Sequence, residues 1–223
     1  MSSLAALQSD VAPIAGSPLL DLTALNAAPL QRDPFDFLVV PQMLPQAALG
    51  AVNADFPPIE GPSNYKPEEL QGGPAFAQLL AELEGPEFAA ALGKKFGVDL
   101  SKCSKSIGVR GYCEPTDGHI HTDHRTKVIT VLVYFNESWP HEGGRLRMLR
   151  SATDMEDYAA EVEPLGGTLL AFRRSDHSYH GHKQFVGERR MIQLSYVEDG
   201  AVGGALRQFG RLTKPVRRLF NMS

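Results

Sequence analysis

The sequence predicts an α+β domain in which helices near its amino end buttress a β-sandwich or barrel. Three observations carry that expectation: apolar residues recur at helical intervals between 45 and 96, the chain from 104 onward breaks into short β-like runs, and glycine or proline turns separate those runs. A chain of 223 residues, 43% of them hydrophobic, can bury one substantial core, so a single domain with extensions is expected rather than two equal ones.

Residues 1–33 are rich in Ala, Ser and Pro without a sustained period, and they read as a weakly ordered or surface-draped leader. The domain is expected to run from 34 to 203. Phe35 to Val40 has the texture of a strand stopped by Pro41, and the Ala-rich stretch from Pro45 to Phe56 suits a helix entered from its proline. Pro57, Pro58, Gly61 and Pro62 then break the chain. Phe76, Leu79, Leu80 and Leu83 fall at i, i+3, i+4 and i+7, and Phe88, Leu92 and Phe96 follow at intervals of four, which predicts two helices with one apolar face each. Strands are expected at Ile107 to Cys113, Val128 to Phe135, Leu146 to Leu149, Thr168 to Phe172 and Met191 to Val197, with Gly143-Gly144 and Gly166-Gly167 as the clearest turns. Residues 204–223 form a basic tail with Arg207, Arg211, Lys214, Arg217 and Arg218 among apolar residues. A packed or solvated terminal helix is the first expectation for it, and contact with an anionic membrane surface the second.

Composition narrows the setting. The 22 basic and 26 acidic residues give a formal charge of −4, too mild for a protein that holds a phosphate backbone by global electrostatics, so no nucleic-acid partner is expected. Cys103 and Cys113 stand ten apart with no Cys-x-x-Cys pair, which argues against a zinc module or disulfide scaffold and for a reducing compartment. The amino end lacks a basic start and apolar run, and no later segment has the continuous apolar length of a transmembrane helix; a cytoplasmic location is expected.

All seven histidines lie between positions 119 and 182. Within that stretch His121-Thr122-Asp123 and a distant His180 supply two imidazoles and one carboxylate, a set that binds a divalent metal on one face and leaves three octahedral positions open. In a strand, residues i and i+2 share a face, so His121 and Asp123 can meet one metal while the third ligand arrives from elsewhere in a rolled sheet. His119 falls on the same face, and a His119–His121 pair is the alternative, as in cupin-type sites. His177 and His182 compete with His180 for the distal position. His124 and His141 read as solvated loop histidines.

The ordered series His121, Asp123, Lys127, Tyr134-Phe135-Asn136, Gly143-Gly144, Pro164 to Gly167, Phe172, His180 and Arg190 resembles the iron(II)- and 2-oxoglutarate-dependent dioxygenase superfamily, in particular its prolyl 4-hydroxylase-like branch. The resemblance covers roughly residues 104–198 and leaves out the leader and the tail. It implies a double-stranded β-helix (jelly-roll) core, with His121, Asp123 and His180 as catalytic iron ligands and Fe(II), 2-oxoglutarate and O2 as cofactor and cosubstrates, with ascorbate as an auxiliary reductant. Arg190, ten residues after His180, stands where that branch carries the basic partner of the distal carboxylate of 2-oxoglutarate, and Tyr134 matches a tyrosine that supports the same carboxylate. A guanidinium suits that task by itself, since its planar fork grips a carboxylate bidentately. Arg189 would then point to the other face.

For the substrate the candidate contacts are Tyr112, Arg125, Trp139 and His182, with Trp139 equally suited to packing. Arg125, Lys127, Arg145 and Arg147 would cluster at the mouth if their strands are adjacent. The expected activity is hydroxylation of an unactivated C–H bond with release of succinate and CO2, on a small-molecule or peptidyl substrate such as a prolyl residue. Asp123 fills a position that halogenating relatives leave vacant. The alternatives are a non-catalytic 2-oxoglutarate- and metal-binding sensor of the same fold, and a cupin-like metalloenzyme. Oligomeric state is not legible.

Overall fold

The computed structural model describes residues 17–198. Four helices precede most of the strands: α1 Leu22–Ala27, α2 Gln46–Asp55, α3 Pro74–Glu84 and α4 Pro86–Phe96, with strand β1 Phe37–Val40 between the first two. The strands that follow are β2 Ser104–Cys113, β3 Lys127–Tyr134, β4 Leu146–Leu149, β5 Tyr158–Val162, β6 Leu169–Arg173, β7 His180–Gly181 and β8 Gly187–Val197. They form a five-stranded sheet in the order β1-β6-β3-β8-β2 and a three-stranded sheet in the order β5-β4-β7. Every pairing between these strands is antiparallel. Two facing antiparallel sheets with helices on the outside of the larger one are the expected jelly-roll core.

Local chemistry places the helices. Pro74 and Pro86 each follow a glycine and open a helix where a missing N–H costs nothing, and Gly97 ends α4 at φ 65°, a conformation that a side chain disfavours. Asp55, at the end of α2, accepts a 2.6 Å hydrogen bond from the Ala75 N–H, so one carboxylate joins the end of α2 to the unsatisfied start of α3. The apolar faces of α3 and α4, Phe76, Leu79, Leu83, Phe88, Leu92 and Phe96, pack with Val109, Ile129, Val131, Val133, Ile192 and Leu194 of the sheet.

The larger sheet has two unlike faces. Ile129, Val131 and Val133 of β3 meet the helices, while Leu132 and Tyr134 join Leu170, Phe172, Met148 and Met191 between the sheets. Thus β3 is apolar on both sides, which accounts for its unbroken hydrophobic run. Where that intersheet filling stops, the space between the sheets opens into a cavity.

Two boundaries differ from the sequence reading. Residues 17–33 are not a draped leader: Leu19, Leu20 and Leu25 are buried in the helical core, Asp21 caps α1 by accepting from the Ala24 N–H at 2.9 Å, and both oxygens of Glu82 accept from the Leu19 N–H at 2.9 Å. Three leucines among alanines and prolines gave too little period to show that packing. Strand β5 was also missed, because it is a half-exposed edge with the sequence Tyr-Ala-Ala-Glu-Val. Residues 1–16 and the tail at 204–223 lie outside the described residues. Among the described residues no helix is long and apolar enough to cross a membrane.

Leu25→Ala tests the corrected boundary: removing a fully buried leucine is expected to lower unfolding free energy by about 2–5 kcal/mol in urea titrations, whereas an unpacked leader would show no change.

Candidate active site

His121 and His180 meet at the cavity through backbone pairing. The His121 N–H donates to the His180 carbonyl at 3.0 Å and the His180 N–H to the His121 carbonyl at 2.9 Å, which sets the two rings 4.3 Å apart between centroids. Asp123 follows two residues on, and one ligand atom from each of His121, Asp123 and His180 lies within 4.8 Å of the others. His121 sits in an isolated bridge rather than a continuous strand, so the pairing with His180 supplies the geometry that strand alternation was expected to supply.

The donor set fits a divalent metal. Nδ1 of His121 donates to the His119 carbonyl at 2.8 Å and Nδ1 of His180 to the Ser178 carbonyl at 2.9 Å; a carbonyl can only accept, so each Nδ1 carries the proton and each Nε2 keeps its lone pair. Burial, reinforced by neighbouring His121, pushes the His180 pKa down to about 4, against the pull of Asp123, and the ring is neutral at pH 7. Burial opposes ionisation of Asp123, but the charges of Lys127 and His180 and hydrogen bonds from Lys127 and Thr130 outweigh it and hold the carboxyl at about 2. Lys127 Nζ lies 2.7 Å from Oδ1 and the Thr130 hydroxyl donates to Oδ2 at 2.5 Å, which fixes the carboxylate plane. His119 does not belong to the three-residue group, so a His119–His121 site gains no support from the described residues.

The two arginines face opposite ways from the expectation, with Arg189 inward and Arg190 outward. Cross-strand partners share a face, and β3 pairs with β8 so that Leu132 faces Gln193 and Tyr134 faces Met191. Tyr134 and Met191 point between the sheets, so Arg189, two residues from Met191, points there too. It is 4% exposed and lines the cavity with the triad. Arg190 turns outward: its side chain is 37% exposed, pairs with Glu188 and lies 5.8 Å from the Phe56 ring. The spacing of ten from His180 misled because the turn after β7, not strand alternation, sets the phase of β8. The Tyr134 hydroxyl lies 3.4 Å from Arg189 Nη2 rather than beside Arg190, and burial raises its pKa.

Arg189 has an unusual set of neighbours. Nε donates to the Gly144 carbonyl at 2.9 Å, Nη1 lies 3.0 Å from the Met191 sulfur, and the guanidinium sits 5.1 Å from the Tyr134 ring. No carboxylate among the described residues pairs with it. A buried cation without a counter-ion costs several kcal/mol, on the order of 3–5 when measured by breaking a pair, so the site calls for an anion.

The other expected contacts divide. His182 lines the cavity, 7% exposed, with Nδ1 on the Lys183 carbonyl at 2.9 Å. Tyr112 does not line it, because a register shift between Arg110 and Tyr112 pairs Tyr112 with Glu188 at the outer end of β8. Arg125 is exposed and away from the cavity. Trp139 is a packing anchor: its Nε1 donates to the Gly143 carbonyl at 2.9 Å and its ring lies 4.7 Å from Phe185. The expected cluster of cations at the mouth does not form, since Arg145 pairs with Glu161 and Glu163, Arg147 with Glu156 and Glu161, and Lys127 with Asp123. Asn64, Arg110 and Asp117 line the cavity, as does His124, which had read as a solvated loop histidine. Asn64 lies far from the motif in sequence, and nothing local marked it.

Residues 108–198 match the model of the family described as the 2OG-Fe(II) oxygenase superfamily. Over this segment the chain is similar to that superfamily. A comparison with curated proteins gives no match. Among solved structures, the chain is similar to a prolyl-4-hydroxylase from Pseudomonas putida, at 20% identity over 73% of this chain and 85% of that one, with a TM-score of 0.52. It is also similar to a prolyl 4-hydroxylase from Phytophthora capsici, at 15% identity over 83% of this chain and 68% of that one, with a TM-score of 0.54. Likeness at these identities shows a shared double-stranded β-helix fold. The oxygenase superfamily works with Fe(II), 2-oxoglutarate and O2, and the His-Asp-His group of this chain has the donors to hold the iron.

Lys127→Met provides a check on the electrostatics of Asp123. Because the folded-state pKa is depressed, the stability that Asp123 contributes is present above its unfolded value of 3.8 and is lost as pH falls toward about 2. Without the lysine charge the carboxyl titrates at higher pH, and acid unfolding of the metal-free variant, followed by circular dichroism, is expected to begin at higher pH than in the parent.

Proposed function

We propose that this protein hydroxylates an unactivated C–H bond of its substrate, with conversion of 2-oxoglutarate to succinate and CO2. In this reading His121, Asp123 and His180 are the iron ligands and Arg189, with the Tyr134 hydroxyl, receives the distal carboxylate of 2-oxoglutarate. The observation that carries it is the buried Arg189, a cation with no carboxylate partner among the described residues, lining the same cavity as the three ligands.

Bound iron, with 2-oxoglutarate and O2, supplies the oxidising chemistry. The chain's own contribution is position and environment. The carbonyls of His119 and Ser178 fix the tautomers of the two imidazoles, so both present a lone pair to one point. Lys127 and Thr130 keep Asp123 ionised and oriented. Arg189 and Tyr134 offer N–H and O–H donors at a fixed distance from that point, which selects an anion with a chain between its two binding ends. Leu132, Leu146, Phe172 and Met191 give the cavity of about 370 Å³ an apolar lining that limits water beside the reacting carbon. The substrate is a prolyl residue or a small metabolite: the named activity of the two similar structures supports the first, and the same architecture accommodates the second.

With Fe(II), ascorbate and 2-oxoglutarate supplied, succinate formation is expected in the parent and its loss in His121→Ala and His180→Ala, with His182→Ala milder. No iron-dependent succinate above the His121→Ala background would remove the proposal. The arginine assignment has its own outcome: Arg189→Leu is expected to raise the KM for 2-oxoglutarate by about two orders of magnitude, the scale of a broken buried ion pair, and Arg190→Leu by less than about threefold.

A further inference from the structure

The cavity has a second polar wall, opposite in chemistry to the lone Arg189. The segment that brings Asn64 there crosses the edge strand β2: Tyr65 and Val109 exchange both backbone hydrogen bonds, at 2.9 and 2.8 Å, and Asn64 lies directly against Gly108. A Cβ at Gly108 would come within 2.2 Å of the Asn64 Oδ1, so glycine is what lets the asparagine reach the cavity. Next to it on β2, Arg110 is held by Asp117 through a single 2.8 Å contact, with side chains 22% and 15% exposed. Asp117 is held in turn by the Glu114 N–H at 2.9 Å.

This wall is not satisfied internally. Among the described residues, Asn64 Oδ1 and Arg110 Nε are both buried without a hydrogen-bond partner, on side chains that line the cavity. Buried polar groups are rarely left so, and each orphan costs about 1–3 kcal/mol. One is an acceptor and the other a donor. His182 lines the same cavity, and with its Nδ1 committed to the Lys183 carbonyl its Nε2 has no partner among the described residues.

We propose that Asn64 and Arg110 are the specificity-determining pair of this oxygenase and read an uncharged amide on the substrate; the inference rests on the hydroxylase reading above. A primary amide carries one N–H on the same side as its C=O, and an extended peptide residue presents its own N–H and C=O on one edge, so either can donate to Asn64 Oδ1 while accepting from Arg110. Charge argues the same way. Arg110 and Asp117 cancel, so a carboxylate or phosphate placed here meets Asp117, and an ammonium meets Arg110; both lose water without a net opposite charge in return. A capped or peptide-linked residue fits the wall, and a free zwitterionic amino acid does not.

The test uses the full chain loaded with Mn(II) in place of Fe(II) and saturated with 2-oxoglutarate, so that binding is read without turnover. A panel of N-acetylated amino-acid amides, the matching N-acetylated acids and the free amino acids is titrated by calorimetry. At least one amide is expected to bind, and its acid and free amino acid at least about tenfold more weakly. Asn64→Ala and Arg110→Leu are each expected to weaken that amide about tenfold, the scale of one lost hydrogen bond, with the affinity for 2-oxoglutarate unchanged. Arg110→Lys, which keeps the charge and removes Nε, is expected to fall between. The proposal is overturned if no amide binds, if acids or free amino acids bind as well as amides, or if Asn64→Ala binds the amide like the parent. Failure of the parent protein to bind 2-oxoglutarate at all would instead remove the hydroxylase reading.

Discussion

The antiparallel register between β3 and β8 is the constraint on which the site depends. It aligns Thr130 with Ser195, Leu132 with Gln193 and Tyr134 with Met191, and so decides which side chains of two central strands face the cavity and which face the helices. A slip of one residue would turn Arg189 to the helical side and bring Arg190 in, along with Ile192 and Leu194. The helices prevent the slip, because Ile192, Leu194, Ile129, Val131 and Val133 are all buried against them. Packing on one face of the sheet thereby fixes the chemistry of the other.

The metal-ligand geometry has a similar origin. His121 lies between β2 and β3 in a loop that would not hold an imidazole in one place by itself, and β7 is only two residues long. Each secures the other through two backbone hydrogen bonds, and β7 is anchored in turn by the pairing of Met148 with His180. The site thus joins the loop preceding β3 to the smaller sheet across the mouth of the fold. Two buried electrostatic arrangements flank it: Asp123 with Lys127 and Thr130, which is charge-paired, and Arg189, which has no carboxylate partner among the described residues. The first keeps a carboxylate charged in an apolar place, and the second is arranged to receive charge from outside.

The amino-terminal segment supports this arrangement more directly than its composition suggests. Leu19, Leu20 and Leu25 complete the helical layer, and Glu82 of α3 accepts from the backbone of Leu19 and Leu20. Between α2 and α3, the proline- and glycine-containing stretch that reads as a simple break instead carries Asn64 across the edge of β2 to the cavity. Irregular segments of this kind have no period to detect, and their placement follows from the gaps that Gly108 and Gly111 leave on the strand beneath them.

The sequence by itself determined the order of most helices and strands and the residue set His121, Asp123 and His180, because helical spacing, apolar runs and a rare donor combination are local or compositional properties. It did not determine which arginine faces inward. Strand β8 is buried on both sides, so hydrophobicity carries no phase, and the count from His180 runs through a turn whose length is free to vary. The same limit hid Leu25, β5, Asn64 and the Arg110–Asp117 pair, whose meaning lies in contacts between segments far apart in sequence. Tertiary structure decided these points for one physical reason: the face a side chain presents is set by its neighbours' register and packing, and those are not written within its own segment.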